Sequence, residues 1–408
     1  MFDYPQFFAE SVSRLHREKR YRRFRTLSRQ AGAFPEAHAT DSRNTSVAAD
    51  RPVTVWCSND YLGMSQHPVV LEASHRALQQ YGAGAGGTRN ISGTHDLIVS
   101  LEAELADLQR KPAALLFSSG YVANDATLAT LAAALPRCVL VSDSDNHASM
   151  IEGMRRSRAE IKVFAHNDAR SLAAALASID PARPKIVAFE SLYSMSGDIA
   201  PLAALLAVAR QHGALTFVDE THAVGVHGSR GGGLLQAQGL TEQVDVIQGG
   251  LGKGFGVVGG FITGSQLLVD FVRSHAAGFI FTTALPPVVV AGALASVRHL
   301  QHSGVERAAL FARVTSLREQ LNARGIPISR TNAQILPLVI GDSTACQDIA
   351  DELFDQYGVY LQPINYPTVP RGQERLRITP SPLHSDAMQA VLVDALDAIF
   401  QRRSRHAA

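Results

Sequence analysis

Between residues 113 and 250 short apolar runs alternate with helix-period segments. AALLFSS, RCVLVSD, IKVFAH, KIVAFES, ALTFVDE and DVIQGG are separated by stretches such as ANDATLATLAAAL and PLAALLAVARQHG. Strands that are apolar at almost every position must be covered on both faces. The pattern therefore demands an α/β architecture with a mostly parallel central sheet and helices on either side. Beyond about residue 297 the rhythm changes to a helix (ERAALFARVTSLREQLNARG), a strand (ILPLVIG), a helix (CQDIADELFDQYG), a strand pair and a last helix. This predicts a smaller α+β C-terminal domain at 298–408, after a large α/β domain at 51–297. Ahead of both, residues 4–27 read as an amphipathic helix ending in Arg17, Lys19, Arg20, Arg22, Arg23 and Arg25. Residues 31 to 50 are polar and punctuated by Gly and Pro, which predicts a linker or loop.

Bulk properties exclude several classes. With 46% hydrophobic and 18% charged residues the chain resembles an ordinary globular protein. A net charge of +1 argues against nucleic acid as the main partner. Apolar runs are interrupted well short of a membrane span, and the N-terminus lacks a signal-peptide pattern. The three cysteines have neither CxxC nor metal-like spacing, which fits a reducing cytoplasm.

In an open α/β sheet ligands gather at the carboxyl ends of strands. Here those ends carry Ser118–Tyr121, Asp145–His147, Glu190–Ser191, Asp219–His222 and Gly249–Lys253. Lys253 stands out among glycines and apolar residues, in a chain with five lysines whose other cations are all arginine. A buried lysine can lose its proton and act as a nucleophile, whereas arginine cannot. Two nearby patterns are decoys. GAGAGG at 82–87 follows a helical segment instead of a strand, so it is a poor dinucleotide fingerprint. GGLGKG lacks the first glycine and the Ser/Thr of a phosphate-binding P-loop. The pair Asp219 and His222 has no apparent third metal ligand.

The ordered motifs WCSNDYLGM, GGTRNISGT, SDSDNHASMIEGMRRS, FESLYSMSGD, VDETHAVGVHG, GLGKGFG and QPINYPTVPRGQERLRITPSP span nearly the whole chain. They resemble the α-oxoamine synthases, fold-type I pyridoxal-phosphate enzymes that condense an amino acid with an acyl-CoA, and within them the 5-aminolevulinate synthase branch. The resemblance implies a homodimer with the active site at the subunit interface. It implies that Lys253 carries the cofactor covalently, Asp219 pairs with its ring nitrogen and His147 stacks on its ring. His222 and Ser194 would lie near its phenolic oxygen. Ser119, Gly120 and Tyr121 would receive the phosphate at a helix N-terminus, with Thr282 and Thr283 reaching it from the partner subunit. For the substrates, Arg377 would clamp the glycine carboxylate and Asn59 would lie close to the amino acid. Arg22, Asn90 and Thr368 would hold the succinyl carboxylate, with Thr88 and Ile91 lining the same place.

Four positions depart from the pattern. Gly250 stands where a Ser or Thr hydroxyl usually meets the phosphate, which predicts looser cofactor retention. Thr221 replaces Val, Ile98 replaces His, and Ala333-Gln334 replaces Ser-His. None removes the lysine, the aspartate or the succinyl-binding residues. One rival is a relative that uses another acyl-CoA or amino acid, such as a 2-amino-3-ketobutyrate CoA ligase or an 8-amino-7-oxononanoate synthase. The other is a nucleotide-binding protein without catalysis.

Overall fold

The computed structural model describes residues 1–22, 24–40, 51–329 and 331–407. Its contacts divide the chain into two compact units. One comprises Met1–Ser58, Met195–Gly197 and Ala309–Ala408, the other Asn59–Ser194 and Asp198–Ala308. The N-terminal segment thus groups with the C-terminal region, whereas the sequence pattern set residues 1–50 apart.

The larger unit is built on a seven-stranded sheet in the order Ala113–Phe117, Gly260–Gly264, Val246–Gly250, Leu215–Asp219, Lys185–Glu190, Val139–Asp143, Glu160–Phe164. Gly260–Gly264 alone runs against its sheet neighbours. Every residue of Val139–Asp143, Lys185–Glu190 and Val246–Gly250 is buried, as strands without polar alternation require. The helix Gly120–Ala134 packs over this sheet and closely against the helix Ala148–Ser157. A Cβ added at Gly153 would stand 2.8 Å from the backbone of Asp125. Because the parallel strands share a direction, their carboxyl ends at Glu190, Asp219 and Gly250 meet along one rim.

In the smaller unit the helix Tyr4–Arg17 is capped by Asp3, whose side chain accepts from Gln6 N at 3.0 Å. It stops well before residue 27, because Lys19 adopts a left-handed φ of +54°. Thr26–Ser28, Glu36–Thr40, Arg51–Val55 and Val359–Tyr360 form a four-stranded sheet, the last pair parallel. Glu36–Thr40 falls where a linker was expected. Alternation of Ala37 and Ala39 into a cluster with Val53, Val55, Phe354 and Tyr360 makes it a strand. Residues 41–50 of that expected linker, and Arg23, lie outside the described residues. Leu336–Val339, Arg375–Ile378 and Pro363–Ile364 form a second, antiparallel sheet. No helix among the described residues is long and apolar enough to cross a membrane. Cys57, Cys138 and Cys346 are free, and burial pushes their thiols up to about 11, 11 and 12.

His384 pins this unit from inside. Its ring packs on Trp56 with centroids 3.9 Å apart, Nδ1 accepts from Ser381 N at 2.9 Å, and Nε2 faces Val55 O at 3.2 Å. The neutral ring satisfies both partners, and burial lowers its pKa from 6.5 to about 4. A folded-state pKa below the unfolded one means that stability is fully present above pH 6.5 and is lost as pH falls towards 4. The full displacement is worth about 3.5 kcal/mol, at roughly 1.4 kcal/mol per pH unit, and most of it is lost by pH 4. Urea denaturation between pH 7 and pH 4 should therefore show the wild type losing about 3 kcal/mol more than His384→Asn. Parallel losses in the two proteins would remove His384 as the cause.

Candidate active site

A cavity of about 250 Å³ opens at the carboxyl rim of the large sheet. Ser119, Gly120, Tyr121, His147, Asp219, His222 and Lys253 all line it. The sequence had separated these residues by more than 130 positions, and the parallel topology brings them together.

Lys253 lies three residues past the strand Val246–Gly250. Its neighbours Leu251 and Phe255 are fully buried and anchor the loop, leaving the lysine half-buried. The loop closes where Gly256 N donates to Lys253 O at 2.9 Å. Gly256 adopts φ +71°, and a side chain there would strike Ser65 N at 2.3 Å, so this turn requires glycine.

Asp219 ends the central strand and is buried. Its Oδ2 accepts from Asn124 Nδ2 at 2.7 Å and its Oδ1 from Thr221 N at 2.7 Å. Asn124 also donates to Ser149 Oγ at 3.0 Å. Two helices and a loop thereby set the angle of one carboxylate. Asn124 was missed in the sequence, where it is one polar residue in an alanine- and leucine-rich helix. No sequence signal marks it, because its burial within that helix is set by packing.

His147 caps the helix Ala148–Ser157. Its Nδ1 lies 2.7 Å from Ser149 Oγ, and its backbone N donates to Glu190 Oε1 at 2.6 Å. The surrounding protein desolvates the ring and lowers its pKa, with Lys253 adding to the effect and Asp219 opposing it. Tyr121 meets it edge-on at 6.4 Å. Glu190 is enclosed, and burial, followed by the charge of Asp219, drives its pKa well above the usual carboxylate range. Glu220 is raised to about 8 by burial, opposed by hydrogen bonds from Leu234 N and Leu235 N.

His222 Nδ1 lies 2.7 Å from the Tyr61 hydroxyl, which reaches Asn59 Oδ1 at 3.3 Å. Asn59 is thus tied to the cavity wall through Tyr61, a residue the sequence did not single out. Ser194 is buried but is not among the cavity-lining residues. Thr282 and Thr283 line a separate narrow crevice with Arg89 and Phe279. Thr88 forms a β-bridge with Thr283, and its hydroxyl donates to Asn90 Oδ1 at 2.7 Å. Ile91 beside them is 78% exposed. In the smaller unit Arg22 Nη2 donates to Thr368 Oγ1 at 3.2 Å. Arg377 is buried there on the strand Arg375–Ile378.

Residues 51–396 match the family model of aminotransferase class I and II. A 5-aminolevulinate synthase of Rhizobium meliloti (strain 1021) is 54% identical over 98% of both chains. 5-Aminolevulinate synthase 1 of Cereibacter sphaeroides is 51% identical over 98% of this chain and 97% of its own. The chain belongs to the 5-aminolevulinate synthases. The erythroid-specific mitochondrial member of Bos taurus is 52% identical over 97% of this chain and 67% of its own. Among solved structures, a serine palmitoyltransferase from S. paucimobilis with a PLP–myriocin ligand superposes with TM-score 0.89 at 30% identity, covering 98% of this chain and 99% of that one. An 8-amino-7-oxononanoate synthase from Francisella tularensis, 24% identical with TM-score 0.73 over 87% of this chain and 99% of that one, shares the fold.

Pyridoxal phosphate is the family's cofactor, and the cavity suits it. One amine, one oriented carboxylate and the open N-terminus of the helix Gly120–Ala134 line a single enclosure. Asn124→Ala removes a hydrogen bond to a charged group, worth about 1.5–3 kcal/mol. Equilibrium titration should show weaker pyridoxal-phosphate retention in Asn124→Ala, and a smaller effect in Ser149→Ala, which leaves the Asp219 contact intact. Equal effects would mean that Asn124 acts only through packing.

Proposed function

We propose that this chain condenses glycine with succinyl-CoA and releases 5-aminolevulinate, CoA and carbon dioxide, with the residue roles set out below. The observation that carries this reading is the single cavity shared by Lys253, Asp219 and the start of the helix Gly120–Ala134. When bound, pyridoxal phosphate supplies a conjugated ring that accepts the electron pair released at the glycine α-carbon.

Lys253 would hold the cofactor through its ε-nitrogen, and its Nζ is the base placed to take the α-proton of glycine. Asp219, fixed by Asn124 and Thr221, would pair with the ring nitrogen and favour its protonated state. His147 would cover the ring with a flat imidazole whose pKa is lowered by desolvation. His222, oriented by Tyr61, would serve the phenolic oxygen. Gly120 and Tyr121 N–H groups belong to a first helical turn without intrahelical partners, so they are available to the phosphate. Ser119 Oγ is already committed to Val122 N at 3.1 Å and serves the site as the helix cap.

Arg377 binds the glycine carboxylate with its forked donors, and Asn59 lies beside the amino acid. Arg22 and Thr368, hydrogen-bonded to each other, receive the second carboxylate of the succinyl group. A buried carboxylate must find donors, and an arginine beside a hydroxyl supplies them. The active form is a homodimer in which Thr282 and Thr283 face the partner's cofactor. Support for this comes from their position in a crevice separate from the chain's own cavity. Three free thiols fit a reducing cytoplasmic setting.

Lys253→Ala should lose both product formation and the borohydride-trapped cofactor adduct, read by assay and by mass spectrometry. Retention of most of the turnover would refute the role. Arg22→Leu should raise the KM for succinyl-CoA by roughly tenfold or more, as expected for a charge-assisted pair worth about 1.5–3 kcal/mol, while the KM for glycine stays within about twofold. An unchanged preference among succinyl-, acetyl- and longer acyl-CoAs would take Arg22 out of the acyl site.

A further inference from the structure

Thr221 and Gly250, two of the departures visible in the sequence, touch in the structure. A Cβ placed on Gly250 would stand 2.7 Å from Thr221 Cγ2 and 3.3 Å from Thr221 Oγ1. The first distance is too short for two carbon atoms, and Thr221 cannot turn aside freely. Its hydroxyl donates to Gln248 Oε1 at 2.9 Å. Gln248 is fully buried, and its Nε2 donates to Gly249 O at 3.0 Å and to Gly120 O at 3.4 Å. In a β-branched side chain, fixing the hydroxyl also fixes the methyl. The hydrogen bond to Gln248 therefore aims the Thr221 methyl at the space above Gly250. The Thr221 hydroxyl also lies 3.7 Å from a Cβ built on Gly120, the first residue of its helix. Thr221, Gly250 and Gly120 all line the cavity.

We propose that Thr221 and Gly250 form a matched pair at the anion-binding end of the site. Thr221 takes the volume that a side chain at 250 would need, and through Gln248 it holds the carbonyl of Gly120, and so the first turn of the helix, in place. Thr221 is a positioning residue for the cofactor phosphate; this assignment rests on the pyridoxal-phosphate reading above. The absent hydroxyl at 250 is thus not a simple loss of one phosphate contact. A serine introduced at 250 overfills the floor of the cavity while Thr221 stays, and room returns only when Thr221 is shortened.

A four-protein cycle tests this: wild type, Gly250→Ser, Thr221→Ala and the double variant, each prepared as apo-protein. Pyridoxal phosphate and phosphate-free pyridoxal are titrated by fluorescence, and the apo-proteins are unfolded in urea. Gly250→Ser should bind pyridoxal phosphate roughly tenfold more weakly, about 1.4 kcal/mol. The double variant should regain most of that loss, returning close to Thr221→Ala. The ratio of pyridoxal-phosphate to pyridoxal affinity should fall in Gly250→Ser and recover in the double variant. If Gly250→Ser fails to fold, a folded double variant shows the same coupling. Losses that add in the double variant, a double variant no better than Gly250→Ser, or a Gly250→Ser protein that binds as tightly as wild type overturns the pairing. An affinity ratio that stays constant across the cycle overturns the phosphate assignment. A wild type that fails to bind pyridoxal phosphate refutes the cofactor reading instead, and the apo-protein unfolding cycle then decides the pairing by itself.

Discussion

The angle of one carboxylate organises the rim of the large sheet. Asp219 ends the central strand, and its two oxygens are claimed by Asn124 from one helix and Thr221 N from the following loop. Asn124 in turn leans on Ser149, which belongs to the helix that His147 caps. Strand, helix and cap are thus locked by short hydrogen bonds around a buried acid. Such a group tolerates little misplacement, because any bond it loses inside the protein is not replaced by water.

Charge is rationed around that carboxylate. Glu190 and Asp219 occupy neighbouring positions on adjacent strands, and Glu220 follows directly in sequence. Three bare carboxylates so close and so poorly solvated would repel one another. Burial and the Asp219 charge drive Glu190 towards its neutral acid, while Glu220 is tied to the N-terminus of the helix Leu234–Ala237. The result biases Glu190 and Glu220 towards their neutral acids beside Asp219, which shares its cavity with Lys253. His147 is kept mainly neutral by the same desolvation, so it offers a flat face without a competing cation.

Shape around Thr221 depends on what is missing. Gly120 and Gly250 leave room over the start of a helix, and Thr221 moves into part of it. Departures at 221 and 250 that look independent along the chain occupy one volume in space. Substitutions at touching positions are coupled in their energetics, whatever their separation in sequence.

Much of this was legible beforehand. Unbroken apolar strands implied a covered parallel sheet, and strand-end residues such as Asp219, His147 and Gly120 implied a shared rim, since parallel strands must bring their carboxyl ends together. Lys253 was legible because an amine among glycines and buried side chains has few structural uses. Other features were not. Asn124 and Tyr61 look like routine helix and loop residues until folding sets them 2.7 Å from Asp219 Oδ2 and His222 Nδ1. The N-terminal strand at Glu36–Thr40, which pairs with Thr26–Ser28 and Arg51–Val55, was masked by its polar surroundings and because it packs on Phe354 and Tyr360, more than 300 residues away. Periodicity and residue chemistry are local properties, so the sequence alone determined the architecture and the set of reactive groups. Hydrogen-bond partners, desolvation and shared volume depend on residues distant along the chain, and only the tertiary structure decided which of those groups meet, which stay neutral and which must change together.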